Sequence, residues 1–218
     1  MNNSGGFKFY SKYRLKLLNP GMYPVIKCGN KKFIFIHINK NAGSSINSAF
    51  GKKKFHLTVK ELINLLGEKE FSKAIKFTVV RNPYDRVISQ YVHRVKTNQS
   101  NMFEDNINLN TWIDKVYGDQ KDPKYYKPQY KMFYTQKQWL TNINGEIRAD
   151  YILKFEELHS DFNNFCHEYD LNIKLPHLNR SLSSKQDNYL NNESIGIIEQ
   201  HFEEDFEAFE YNFLNGSL

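Results

Sequence analysis

The residues able to do chemistry in this 218-residue chain fall into two short runs. In the first, Lys40, Asn41, Ala42, Gly43, Ser44 and Ser45 follow the apolar stretch 34–38. One cation, one glycine and two hydroxyls between a strand and a helix start describe an anion site. Unpaired backbone N–H groups and the positive end of the helix dipole converge on such a loop. The order is not that of the common nucleotide loop, where the lysine comes after the second glycine; here Lys40 precedes Gly43. In the second run Arg81 leaves another apolar stretch, and Arg86, Ser89 and Tyr91 follow it. A guanidinium fork with a hydroxyl further along the helix suits phosphate oxygens. Taken singly, each run also reads as an ordinary junction, with Arg81 paired to Asp85. Two such loops at strand ends fit a ligand with two separated phosphates.

The elements that must hold these loops alternate. Residues 33–38 read as a central strand, apolar nearly throughout, and 44–50 as the helix after the first loop. Thr58 and Glu61 have capping-box spacing and open an amphipathic helix with Leu62, Leu65 and Leu66 inward. A second strand at 77–80 runs into Asn82 as cap, Pro83 at the first helical position and Asp85 in the first turn of a helix reaching Lys96. Polar residues 97–110 read as a loop, 111–117 as a helix, and the Lys/Tyr-rich stretch 118–134 as a second loop. A strand at 150–155, a helix at 156–169, a polar segment at 179–192 and a helix at 193–209 complete the order. The expectation is a single α/β domain, a P-loop-like central parallel sheet flanked by helices, with ligands at the strand C-terminal ends. Residues 1–30, punctuated by Gly5-Gly6, Pro20-Gly21 and Pro24, read as an irregular arm or short edge strands packed on the domain formed by 31–218.

Composition narrows the function classes. Thirty Lys and Arg against 24 Asp and Glu give a formal charge of +6, compatible with an anionic ligand. Cys28 and Cys166 are far apart and form no CxxC pair, so neither a disulfide framework nor a zinc site is expected. No carboxylate pair or histidine cluster has metal-ligand spacing, and no metal is expected. No apolar run approaches the roughly 18 residues of a membrane span, and residues 1–10 lack the apolar core of a signal peptide. No stable membrane insertion, no nucleic-acid partner and a cytoplasmic location are expected.

The two runs resemble those of the PAPS-dependent sulfotransferases, in particular the carbohydrate branch related to the heparan and chondroitin enzymes (sulfotransferase family 2). The pattern H-x-P-K-[TS]-[GA]-[GS]-[TS]-[TS] is matched from His37 to Ser45, with Asn39 where proline is usual and Asn41 where threonine or serine is usual. The pattern R-N-P-[YF]-x-R-x-x-S-x-[YF] is matched without a break from Arg81 to Tyr91. Weaker likenesses follow in family order at 136–140, 150–158 and 175–179. The resemblance implies 3′-phosphoadenosine 5′-phosphosulfate (PAPS) as donor and PAP as product. It implies that Lys40, Asn41, Ala42, Gly43, Ser44 and Ser45 hold the 5′-phosphosulfate, and that Arg81 and Ser89 hold the 3′-phosphate. It also implies a hydroxyl acceptor, expected to be a carbohydrate of a bacterial cell-surface or capsular glycan.

Sulfuryl transfer needs charge stabilisation at the leaving phosphate and a base for the acceptor proton. Lys40 fits the first need. His56, just before the capped helix, is the first choice for the second, His93 the substitute and Glu61 the third. His37 reads as a packed residue near the loop, His177 as structural. Residues 179–185 are candidates for closing over the nucleotide, and the aromatic and basic residues of 121–137 for lining an acceptor cleft. The alternatives are a lipid or small-molecule sulfotransferase, a kinase-like P-loop transferase, and a non-catalytic binder of acidic polysaccharide.

Overall fold

The computed structural model describes residues 24–52, 55–176 and 189–215. Four strands form one sheet in the order β1 (Val25–Cys28), β2 (Lys31–Ile36), β3 (Ile75–Val80), β4 (Tyr151–Lys154). The last three are parallel, whereas β1 is antiparallel to β2. The expected parallel sheet therefore gains one reversed edge strand. The link from Cys28 to Lys31 is only Gly29-Asn30, long enough for a hairpin return and far too short for a crossover. Gly29 takes φ 55°, a conformation glycine adopts without steric cost. β2 ends two residues before the apolar run does, so His37 and Ile38 already belong to the loop.

Alternation along the strands sorts the core into two layers. Phe33, Phe35, Phe77, Val79 and Leu153 face α1 (Gly43–Ala49) through Ile46, and face α7 (Leu158–Glu168) through Phe162 and Phe165. Ile34, Ile36 and Val80 face α2 (Val59–Leu66), α3 (Glu68–Ser72) and α6 (Gln136–Leu140). On α2 the buried residues are Val59, Leu62 and Leu66; Leu65 is only half-buried. The sequence pattern did not predict α3 or α6, each five residues long and set by packing rather than by a full amphipathic repeat.

A third core lies beyond the sheet. There α4 (Pro83–Lys96), α5 (Leu109–Tyr117) and α8 (Asn192–Phe209) meet around Trp112, Val116, Ile198 and Phe202. The stretch expected to be loop at 97–110 contains the short turn Gln99–Asn101 and yields to α5 at Leu109. Residues 118–134 contain a similar turn at Lys131–Phe133. His177 and residues 179–185 lie outside the described residues, as do residues 1–23 of the arm.

His201 of α8 sits where this third core disfavours a further positive charge. Its Nε2 faces the Phe133 carbonyl at 3.4 Å and its ring lies 4.7 Å from that of Tyr117. Burial pushes its pKa down to about 4, helped by Lys121 and Arg86 and opposed by the Phe133 carbonyl. An unfolded histidine titrates near 6.5, so between that value and about 4 only the unfolded chain takes the proton. Stability therefore falls as pH drops through this window and owes nothing to His201 titration above it. Thermal unfolding followed from neutral pH to pH 4 should show this acid sensitivity. His201→Gln should flatten it by at most about 3 kcal/mol.

Candidate active site

The loops leaving the C-terminal ends of β2 and β3 meet at one edge of the sheet. In the first, Lys40 and Ala42 take φ of 72° and 53°, left-handed values that side-chain-bearing residues rarely adopt. Each costs about 1–3 kcal/mol and persists only where the surroundings impose it. Flanking Asn41, they curl the backbone into a concavity of the kind that cradles anions. Ala42 is the N-cap of α1, and no side chain caps it or supplies an acid in the first turn. By contrast Thr58, Asn82, Asn108, Thr135 and Asn191 all cap their helices with a side-chain oxygen. The start of α1 thus keeps its N–H groups for something other than the protein's own side chains.

The second loop imposes this shape. Arg81 donates from Nη1 to the Lys40 carbonyl at 3.2 Å, and Arg86 from Nε to the Asn39 carbonyl at 3.4 Å. Two consecutive carbonyls are drawn inward by two guanidinium groups. Arg81 is buried and lies 4.0 Å from the centre of the Phe155 ring. Burial lowers its pKa, an effect opposed by Asp85 and Glu156. The expected alternative, a direct Arg81–Asp85 pair, does not form among the ion pairs of the described residues. Glu156 holds the loop from the other side: its Oε1 accepts from the Asn82 N–H at 2.8 Å and its Oε2 from the Tyr211 hydroxyl at 2.9 Å.

Between the two loops sits Gln136, wholly buried. Its Oε1 accepts from Asn41 Nδ2 at 2.6 Å and from the Arg81 N–H at 2.9 Å, while its Nε2 donates to the Arg81 carbonyl at 2.8 Å. Its own N–H donates to Asp205 Oδ2 at 2.7 Å, and the Lys137 N–H to Oδ1 at 2.8 Å. Burial raises the Asp205 pKa against the pull of Arg86 and these N–H groups. Asn41, expected at the ligand, turns its side chain inward to Gln136 and to the Val79 carbonyl at 2.8 Å. Only its main chain is left to face an anion, because the amide is needed to tie the loop to the strand below.

On the other flank, His37 is packed, as expected: buried, stacked on Phe35 and 4.1 Å from the ring of His56. A side-chain carbon on Gly43 would fall 1.7 Å from His37 Nε2, which is why only glycine fits there. His56 is exposed, and its Nδ1 lies 3.3 Å from the His37 carbonyl. Lys131 Nζ donates to the His56 carbonyl and to both oxygens of Glu61, at 3.0 and 2.7 Å. Glu61 also completes its capping box with Thr58. The third base candidate is therefore occupied in holding the segment that carries the first.

His56 stands beside the anion loop through His37, whereas His93 does not. It lies roughly 15 Å along α4 from Pro83, and Ser89 roughly 9 Å, at 1.5 Å rise per residue. Ser89 is half-buried. The structure brings together Lys40, Arg81 and, through His37, His56. Sequence reading missed Gln136, Phe155 and Glu156 as site-builders, although all three lie in the weaker motif stretches at 136–140 and 150–158. Thr135 and Gln138, a capping box, marked the first of these. Among the described residues no group of three or more His, Cys, Asp or Glu is placed to hold a metal ion.

Two substitutions test this scaffold. Gln136→Leu strands the buried Arg81 N–H and carbonyl and should lower the unfolding free energy by roughly 3 kcal/mol in urea titration. An unchanged midpoint would show that the clamp is dispensable. Gly43→Ala should lower thermal stability by about 1–3 kcal/mol, because His37 is walled in by Phe35, Asn47 and His56.

With this geometry in view, a family model described as the sulfotransferase family matches residues 23–212. No significant match is found among curated proteins or among solved structures. The match spans the loops after β2 and β3, the Gln136 clamp and the His56 segment: the chain belongs to the sulfotransferase family.

Proposed function

We propose that the protein transfers the sulfuryl group of PAPS to a hydroxyl of a carbohydrate. The observation that carries this reading is the junction of the uncapped loop at 40–45 with Arg81, which binds the Lys40 carbonyl. The N–H-rich cradle fits the 5′-phosphosulfate. Lys40 and the main chain of Asn41, Ala42, Gly43, Ser44 and Ser45 would hold it. Arg81 and Ser89 would hold the 3′-phosphate. The Arg81 Nε is buried without a partner, which is consistent with an additional acceptor supplied by a ligand.

PAPS supplies an activated S–O bond; the chain's residues bind it and manage charge and protons. The acceptor oxygen forms a bond to sulfur as the bond from sulfur to the phosphate oxygen breaks. Lys40 stabilises the negative charge gathering on that oxygen. His56 takes the acceptor proton. The stretch 121–137 is anchored beside His56 through Lys131, which supports its role as an acceptor wall. Its lysines, however, are largely engaged: Lys124 with Asp105, Lys131 with Glu61 and Lys137 with Glu204, while Lys121 lies over Tyr126. The exposed Tyr130 and its aromatic neighbours thus support a sugar face better than they support recognition of a polyanion.

Incubation with PAPS and a panel of neutral and acidic oligosaccharides, read by mass spectrometry, should show gain of one sulfuryl group. PAP should raise the melting temperature, and Arg81→Ala should abolish that rise. Lys40→Ala should slow transfer by about 10²–10³-fold, and His56→Ala by about 10²–10⁴-fold with PAP binding retained. Stabilisation by ATP and not by PAP would overturn the proposal.

A further inference from the structure

The stacked pair His37–His56 holds two imidazoles in unlike surroundings. His56 Nδ1 lies 3.3 Å from the His37 carbonyl, which can only accept a hydrogen bond. The proton on that ring therefore belongs on Nδ1, and the lone pair on Nε2. His37 Nδ1 instead faces Asn47 Nδ2 at 3.3 Å, and that same amide nitrogen donates to the Gly43 carbonyl at 2.6 Å. The short bond to a carbonyl fixes which end of the Asn47 amide is nitrogen. His37 Nδ1 thus meets a donor and must be the acceptor, which leaves the ring's proton on Nε2, the edge against Gly43. The partner of one ring nitrogen decides the state of the other.

We infer that Asn47 is a positioning residue that decides which member of this histidine pair takes a proton. Resting on the proposed role of His56, the inference gives that role a cause. Rings 4.1 Å apart cannot both become cations cheaply. Asn47 places a donor where His37 would otherwise accept a proton, so His37 stays neutral and the basic site is His56 Nε2. The Asn47 amide also grips Gly43, so the base and the anion loop are held in one register. Among the described residues, Lys131 and Glu61 lie beside His56, and Lys52 lines a recess with Asn47. Lys40 lies on the loop itself.

Long-range ¹H–¹⁵N correlation spectra of the ¹⁵N-labelled full chain test this, with His37→Gln and His56→Gln assigning the two rings. Above the imidazole titration range, His56 should carry its proton on Nδ1 and His37 on Nε2. On acidification His56 should charge before His37. In Asn47→Asp, a carboxylate replaces the donor, so the His37 proton should move to Nδ1 and the order of charging should reverse. Its kcat should fall about tenfold or more as His56 loses basicity. A neutral His56 protonated on Nε2, or a wild-type His37 that charges first, overturns the inference, and the wild-type spectrum alone decides this if the variant does not fold. The spectra need neither donor nor acceptor. A protein with these tautomers that transfers no sulfuryl group would overturn the proposed function alone, and a working transferase with the opposite tautomers this inference alone.

Discussion

The carboxamide of Gln136 is the interaction on which the geometry of the site depends. It pairs with both main-chain groups of Arg81 and with the side chain of Asn41, while its own N–H reaches Asp205 on α8. Four hydrogen bonds joining four separate parts of the chain are thereby made away from water. In a low-dielectric interior the polar groups involved are costly to leave unpaired, so each holds the others in place. The consequence is that the loops leaving β2 and β3 cannot move independently. Arg81 can reach the Lys40 carbonyl only because its backbone is clamped at the right height.

From that clamp follows the shape of the anion cradle. Arg81 and Arg86 draw the carbonyls of Lys40 and Asn39 to one side. Two left-handed residues complete the curl, and their strain is carried by the surrounding hydrogen bonds. Both guanidinium groups are buried, neither forms a close ion pair with a carboxylate among the described residues, and Arg81 Nε and Arg86 Nη1 are buried without a hydrogen-bond partner. Asp85 and Glu156 offset Arg81, and Asp205 offsets Arg86, without closing a direct ion pair, which leaves positive charge for a ligand bearing negative charge.

The opposite flank is built by a different logic. Lys131, Glu61 and Thr58 hold the main chain at His56, while His37 lies beneath the ring. The cation in this cluster is spent on structure, and the exposed imidazole is the group turned outward. The loop at 40–45 and the His56 segment thus stand on neighbouring but distinct supports, joined by Asn47 and Gly43.

Sequence alone determined the order of the three parallel strands and the longer helices, the caps at Thr58 and Asn82, the two motif-bearing loops and the family resemblance. All of these rest on local patterns: period, capping spacing and contiguous motifs. It also singled out His37 as a packed residue near the loop and His56 as lying just before the capped helix. It did not disclose the reversed strand β1, the short helices α3 and α6, or the inward turn of Asn41. Those were decided by contacts between residues far apart in the chain: Asn41 with Gln136 across 95 positions, Lys131 with Glu61 across 70. A hydrogen bond at such separation has no local signature, because the partner exists only once the sheet has brought the loops to one edge. The two loops are written in contiguous motifs, but the residues that hold them at one height are set by the fold.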